Sequence, residues 1–130
     1  MQTEIIQAWH FVGKTLRDGR PIPEDGVWLE HTGPLIMCQS GLHASRHPFD
    51  ALIYAPGDIL CRVECRGDII EESGKLVCKK RRILQRINAH EGMIFFARMQ
   101  ALSAIHLWDA PDVVLDFLMT GDAAYAHAAY

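Results

Sequence analysis

The side chains best suited to chemistry gather in one stretch. It runs Ser40-Gly41-Leu42-His43-Ala44-Ser45, then Arg46-His47-Pro48-Phe49-Asp50-Ala51-Leu52-Ile53-Tyr54-Ala55-Pro56-Gly57. His43 and His47 are four apart, the spacing at which two imidazoles on a helix share a metal. Here a strand end and a turn lie between them and no third ligand falls into place, so a hydrogen-bonded turn histidine is expected and no metal. Ser40 and Ser45 flank His43, yet no Gly-x-Ser-x-Gly elbow accompanies them, and hydrolase chemistry is not expected. The stretch also carries Asp50 and the rings of His43, His47 and Tyr54.

Those rings need a strand, a cap and a helix to position them. Ser45 is the expected N-cap, Pro48 fits the first helical turn, and Asp50 suits the positive end of the helix dipole. Phe49, Leu52 and Ile53 have the spacing of a buried face, and Pro56-Gly57 stops the helix. Upstream, a strand is expected around Gln7–Val12, a turn-rich ordered loop at Asp18–Gly26, a short strand at Val27–His31 and an apolar run at Leu35–Cys38. Downstream, Asp58–Arg66 alternates cleanly, with Cys61, Val63 and Cys65 facing one way and Arg62, Glu64 and Arg66 the other. Gly67 interrupts it, Ile69-Ile70 resumes, and Glu71–Gly74 turns the chain into Lys75–Cys78 and Arg82–Ile87.

The pattern then changes period. Asn88 with Glu91 has capping-box spacing, and Met93, Ile94, Phe96, Ala97, Ala101, Leu102 and Ile105 predict a helix of about 18 residues reaching Leu107. Asp109 and Pro111 restart a helix whose buried face is Val113, Val114, Phe117 and Leu118, ended by Thr120-Gly121. Asp122 caps a last alanine-rich stretch to Tyr130. The expected fold is α+β: a mostly antiparallel sheet over residues 7–87 with one short inserted helix, then helices over 89–130 covering the sheet. With 130 residues, one domain is expected, β-rich over 1–87 and helical over 88–130.

Composition narrows the function classes. The net charge of −3 does not favour a dedicated nucleic-acid binder. No apolar run approaches the ~20 residues of a membrane span. The acidic start Met1-Gln2-Thr3-Glu4 is unlike a signal peptide, so a cytoplasmic protein is expected. Cys38, Cys61, Cys65 and Cys78 contain no Cys-x-x-Cys pair and are expected as buried free thiols. Lys79, Lys80, Arg81, Arg82 and Arg86 form the one basic cluster. It is suited to gripping phosphate or an acidic protein face, or to guarding an edge strand against aggregation.

From Ala8 to about Ala124 the chain resembles a family of small phage, prophage and metagenomic proteins of unknown function. The residues carrying the likeness are Trp9-His10-Phe11, Leu16-Arg17-Asp18-Gly19-Arg20-Pro21, Gly41-Leu42-His43-Ala44-Ser45, Pro48-Phe49-Asp50-Ala51-Leu52, Tyr54-Ala55-Pro56-Gly57, Lys75-Leu76-Val77 and His106-Leu107-Trp108-Asp109-Ala110-Pro111. The resemblance implies a protein acting in a bacterial cytoplasm by binding a host or defence-system macromolecule. A second resemblance is to ADP-ribosyltransferases of the diphtheria-toxin and PARP type. It places His10 at their ribose-binding histidine, Gly41-Leu42-His43-Ala44 at their Gly-x-Tyr-x-Ala strand, and Tyr54 at their second tyrosine. It implies a nucleotide pocket, with NAD as the ligand, formed by His10, Gly41, His43, Ser45 and Tyr54. His43 stands where those enzymes have tyrosine, and Lys75–Ile87 contains no Asp or Glu to serve as their late catalytic acid. Catalysis is therefore not expected.

Overall fold

The alternation that begins at Ile59 builds the longest strand pair of the protein. In the computed structural model, which describes residues 5–122 and 124, the elements of the β-rich part are β1 (Ile6–Val12), β2 (Leu29–Glu30), β3 (Leu42–Ala44), helix α1 (Pro48–Leu52), β4 (Ile59–Glu72) and β5 (Lys75–Asn88). β4 and β5 form one hairpin through Ser73-Gly74, Gly74 taking the left-handed conformation at φ +79°. Cys61, Val63 and Cys65 are fully buried while Arg62 and Arg66 are exposed, so β4 has one dry face and one wet one. Gly67 does not end the strand. It sits at a register shift between Arg66 and Ile69 with φ +84°, which bends the ladder and lets it continue to Glu72. Residues 79–81, expected between two shorter strands, run within β5, where both β4 and β2 pair with Lys80 and Arg81.

The five strands form an antiparallel sheet in the order β1-β4-β5-β2, with β3 also on β5. β3 pairs Leu76–Cys78 and β2 pairs Lys80 and Arg81, so two short strands follow one another along the same edge of β5. The strand expected at Val27–His31 is thus reduced to Leu29–Glu30. The Leu35–Cys38 run forms no strand of its own. Ile36 and Ser40 bond each other in both directions at 2.8 Å, and Cys38, at φ +65°, turns the chain between them.

One further contact shapes the sheet. Trp9 N–H donates to the Ser45 carbonyl at 2.7 Å and Ser45 N–H to the Trp9 carbonyl at 2.9 Å. β1 already pairs β4 along its other edge. The sheet therefore curls until the chain leaving β3 meets β1 across this bridge. Ile6, Ala8, Leu42, Ala44, Cys61, Val63, Cys65, Leu76, Cys78 and Ile83 fill the interior of the curl. Each of the larger side chains there contributes roughly 1.5–3 kcal/mol by burial.

This use of Ser45 changes the reading of α1. Ser45 is buried in the bridge and is not the cap, which is His47, without a side-chain cap bond; Pro48 opens the helix and Asp50 lies in its first turn. The buried residue of α1 is Ala51, whereas Phe49 is 62% and Ile53 74% exposed, so the spacing that predicts an inward Phe49–Ile53 face is overruled. The close approach at the end of the helix explains why. Gly57 packs onto Gly13, where a Cβ would lie 2.6 Å from the Gly13 Cα and 2.8 Å from the Val12 carbonyl oxygen. Only a small residue can sit between helix and sheet at that distance.

A second compact unit begins at Ala89. It contains α2 (His90–Ser103), a 3-10 turn (Ile105–Leu107) and α3 (Asp112–Thr120). α2 stops at Ser103, short of the expected Leu107, and the 3-10 turn takes up the remainder. Its N-cap is Ala89, without a side-chain cap bond, one residue after the Asn88 expected in that place. α3 begins at Asp112 after Pro111 and ends as expected at Gly121, left-handed at φ +72°. Arg98 on α2 donates to the Leu118 carbonyl at 2.9 Å, tying the two helices together. The alanine-rich helix expected after Asp122 lies outside the described residues apart from Ala124. The fold is α+β, an antiparallel sheet with a C-terminal helical part. Among the described residues no helix is long and apolar enough to cross a membrane.

Gly41 offers a sharp test of the curl. It has φ +123°, and a Cβ there would overlap Val77 Cγ2 and lie 2.8 Å from Leu35 Cδ2. Gly41→Ala should lower the unfolding free energy by about 2–4 kcal/mol through backbone strain and overpacking. Urea titration reads this as an earlier midpoint at unchanged slope.

Candidate functional site

The curl leaves a cavity of about 900 Å³ bordered by the end of β1, the following loop, the chain from Cys38 through β3 to Ser45, and α1. Its position follows from the bridge. His10 directly follows Trp9 on β1, and His43 precedes Ser45 by two residues on β3, so pairing Trp9 with Ser45 brings the imidazoles to one chamber. His10, Gly41, His43, Ser45 and Tyr54 all line it. Their parts differ. Gly41 permits the close packing of β3 on β5, Ser45 holds the bridge, and Tyr54 stands 53% exposed, with the Lys75 ammonium 5.5 Å from its ring centre.

His43 is held by a bond that sets its tautomer. The Cys38 N–H donates to His43 Nε2 at 2.8 Å, and a backbone amide can only donate, so Nε2 is unprotonated. Burial pushes the His43 pKa down from its usual value, and Arg17, Arg81 and Lys75 act in the same direction against the Gly41 carbonyl. His10, opposite the fully buried Cys61, is held well below its usual value by burial, then by Arg81 and His43. Both rings are neutral at physiological pH.

The charged lining is lopsided. Lys14, Arg17, Arg20, Lys75 and Arg81 border the cavity against a single carboxylate, Asp18. That carboxylate is already engaged: Asp18 accepts the Arg20 amide at 3.0 Å and its Nε–H at 2.8 Å, and these bonds lower its pKa. Arg81 is the deepest cation, 4% exposed, and donates through Nη1 to the His43 carbonyl. It pairs directly with Cys65 across the hairpin, which puts its side chain on the dry face of the sheet.

The five basic residues of β5 do not form one surface. Lys79 donates to the Gly33 carbonyl, Lys80 pairs with Glu30 at 3.2 Å, and Arg86 bonds Asp25 at 2.7 Å and the Pro23 carbonyl at 2.6 Å. Arg82 bonds Glu64 at 2.6 Å, and its guanidinium and that of Arg66 lie 4.7 and 5.3 Å from the centre of the Trp28 ring. Only Arg81 reaches the cavity. Strand alternation carries the signal: Arg81 shares its parity with buried Ile83, whereas Lys80 and Arg82 do not.

Sequence reasoning missed Lys14 and Lys75, and three further contributors. Arg17 and Arg20 sit on an irregular loop with no periodicity to betray them. Cys38 is the third: it lines the cavity, is exposed where a buried thiol is expected, and accepts a bond from Lys75 Nζ at 2.9 Å. Cys61, Cys65 and Cys78 are free and buried. Among the described residues no group of three or more His, Cys, Asp or Glu side chains is placed to hold a metal ion.

The chain belongs to the family described as Domain of unknown function (DUF7666), which matches residues 6–94. That span takes in all five strands, α1 and every residue bordering the cavity, and ends in the second turn of α2. No curated protein and no solved structure matches the chain.

Two measurements follow from these environments. The unfolded chain protonates its histidines near pH 6.5 while native His10 and His43 stay neutral to lower pH, so the unfolded state binds more protons below that point. Stability should be level above pH 7 and fall as the pH drops below 6.5, by up to ~1.4 kcal/mol per pH unit for each ring. His43→Gln, which keeps an acceptor for the Cys38 amide, should roughly halve that slope in denaturant titrations between pH 5 and 6.5. Iodoacetamide should label Cys38 in the native protein and reach the three buried thiols only on unfolding, as mass spectrometry would record.

Proposed function

We propose that this member of the DUF7666 family is a binding domain for a small anionic ligand of the nucleotide class. The observation that carries the reading is the convergence of His10, His43 and Tyr54 with Arg81 on one cavity of about 900 Å³. That volume lies within the range of small-molecule sites and suits a ligand as large as a dinucleotide. The neutral imidazoles and the Tyr54 ring offer flat surfaces for a base, and the cationic lining offers charge for its phosphates. NAD and ADP-ribose belong to this class.

Transfer chemistry forms no part of the proposal. An oxocarbenium-like centre needs a carboxylate aimed at it, and the lining supplies only Asp18, which Arg20 holds. The reading is therefore recognition without turnover.

Phe49 and Ile53 favour a second reading. They are exposed on, and at the C-terminal cap of, the short helix whose Ala51 borders the cavity, an arrangement that suits contact with a host or defence-system macromolecule. A partner captured from bacterial lysate by the native chain and lost with Phe49→Ser plus Ile53→Ser would favour it, and equal capture by both would remove it.

Thermal unfolding in the presence of NAD, ADP-ribose or AMP tests the first reading. A ligand that binds only the native state must raise the Tm, by an amount that grows with its concentration. A rise is expected at millimolar ligand, and His43→Ala should weaken binding roughly tenfold or more, the scale of one lost stacking contact. No rise with any of the three would overturn the proposal.

A further inference from the structure

We propose that Arg81 is the anion anchor of the cavity, holding a phosphate group of the ligand from the buried side while the cations of the 13–20 loop close over it. The inference rests on the reading of the cavity as a ligand site and names the group that the site grips.

Arg81 differs from its neighbours on β5. Lys80 has Glu30, Arg82 has Glu64 and Arg86 has Asp25. Arg81 is the most buried of the run, yet among the described residues no carboxylate lies within ion-pair distance of it. Its described bond is the one from Nη1 to the His43 carbonyl, a small share of the five N–H groups a guanidinium carries. The groups around it on the dry face, Cys61, Cys65 and Cys78, are thiols. Burial raises the Cys61 pKa, and a bond with Cys78 together with burial raises that of Cys65. That same bond lowers the Cys78 pKa, with Arg81 acting in the same direction, while Cys78 Sγ donates to the Leu42 and Lys80 carbonyls as a thiol does. The two imidazoles facing the same chamber are neutral.

An arginine keeps its proton under these conditions, so a full positive charge is buried with no carboxylate paired to it among the described residues. Such a charge costs stability unless something compensates it. The cavity supplies the route for an external counterion. The remaining lining points to more than one negative charge, since Lys14, Arg17 and Lys75 also border the chamber while Arg20 and Asp18 answer each other. A lone carboxylate would leave most of that charge unanswered. A phosphate ester or diphosphate matches it, and the planar guanidinium fork engages phosphate oxygens in pairs.

The test uses the full chain, with inorganic pyrophosphate and adenosine as separate probes and ionic strength held constant with sodium chloride. Pyrophosphate at ten times its Kd is expected to raise the native Tm on the order of 5 °C. Arg81→Met should abolish that rise and leave the Tm without anion unchanged or higher, because it removes an uncompensated buried charge. Arg81→Lys, which keeps the charge but loses the fork, should weaken pyrophosphate binding severalfold. Arg17→Gln should weaken it less than Arg81→Met does. A pyrophosphate-dependent rise that survives in Arg81→Met would place the anion elsewhere and overturn the inference. Should Arg81→Met fail to fold, undiminished binding by Arg81→Lys would overturn it equally. Stabilisation by adenosine without any by pyrophosphate would sink the Arg81 anchor and leave the cavity reading standing. Stabilisation by neither would sink both.

Discussion

The two-bond bridge between Trp9 and Ser45 is the contact on which the cavity depends. Without it, β1 and β3 would be opposite extremes of a sheet, separated by the long hairpin of β4 and β5. With it, the sheet bends back on itself and encloses an interior. β3 is only three residues long and leads within a few residues to Pro48, so the second edge of β1 is met by one bridge and no continuous ladder. The unmet remainder of that edge becomes the border of a chamber. Closure by a single bridge thus yields both a buried core and an opening beside it.

The packing around the bridge is as constrained as its hydrogen bonds. Gly41 lets β3 approach β5, and Gly57 lets the end of α1 approach Gly13. These two glycines set the distances that keep His43 and Tyr54 on the chamber that His10 borders. Ala51, the one buried residue of α1, has the same effect on a smaller scale. A larger side chain at any of these points would push the helix or β3 outward and open the chamber.

The interior combines apolar closure with one unbalanced charge. Around Arg81 the chain places thiols and neutral imidazoles, while it gives carboxylates to the more exposed cations of the same strand. Replacing a buried ion by apolar groups is often neutral or stabilising, so stability by itself does not account for an arginine here. Sites that recognise ligands commonly hold such local costs, offset by the rest of the fold.

The order and type of the main elements were legible in the residues. Period-two alternation marked β4, the shift to helical spacing marked α2 and α3, and Gly121 marked the end of α3, because these signals arise from local geometry. The cluster of His10, His43 and Tyr54 entered through a resemblance, and its convergence is a property of the bridge. Local spacing failed where two elements compete for one residue: Ser45 was suited to cap a helix, and pairing with Trp9 took it instead. It failed again at Phe49 and Ile53, whose spacing is that of a buried face but whose helix is pressed against the sheet by Ala51 and Gly57. The sequence determined by itself which segments form strands and helices, through periods of two and 3.6 residues. Only the tertiary structure decided that the Gly41–Gly57 stretch meets β1, that Arg81 points inward without an acid, and that Arg17 and Arg20 join it. Those relations depend on contacts between distant segments, which no local period encodes.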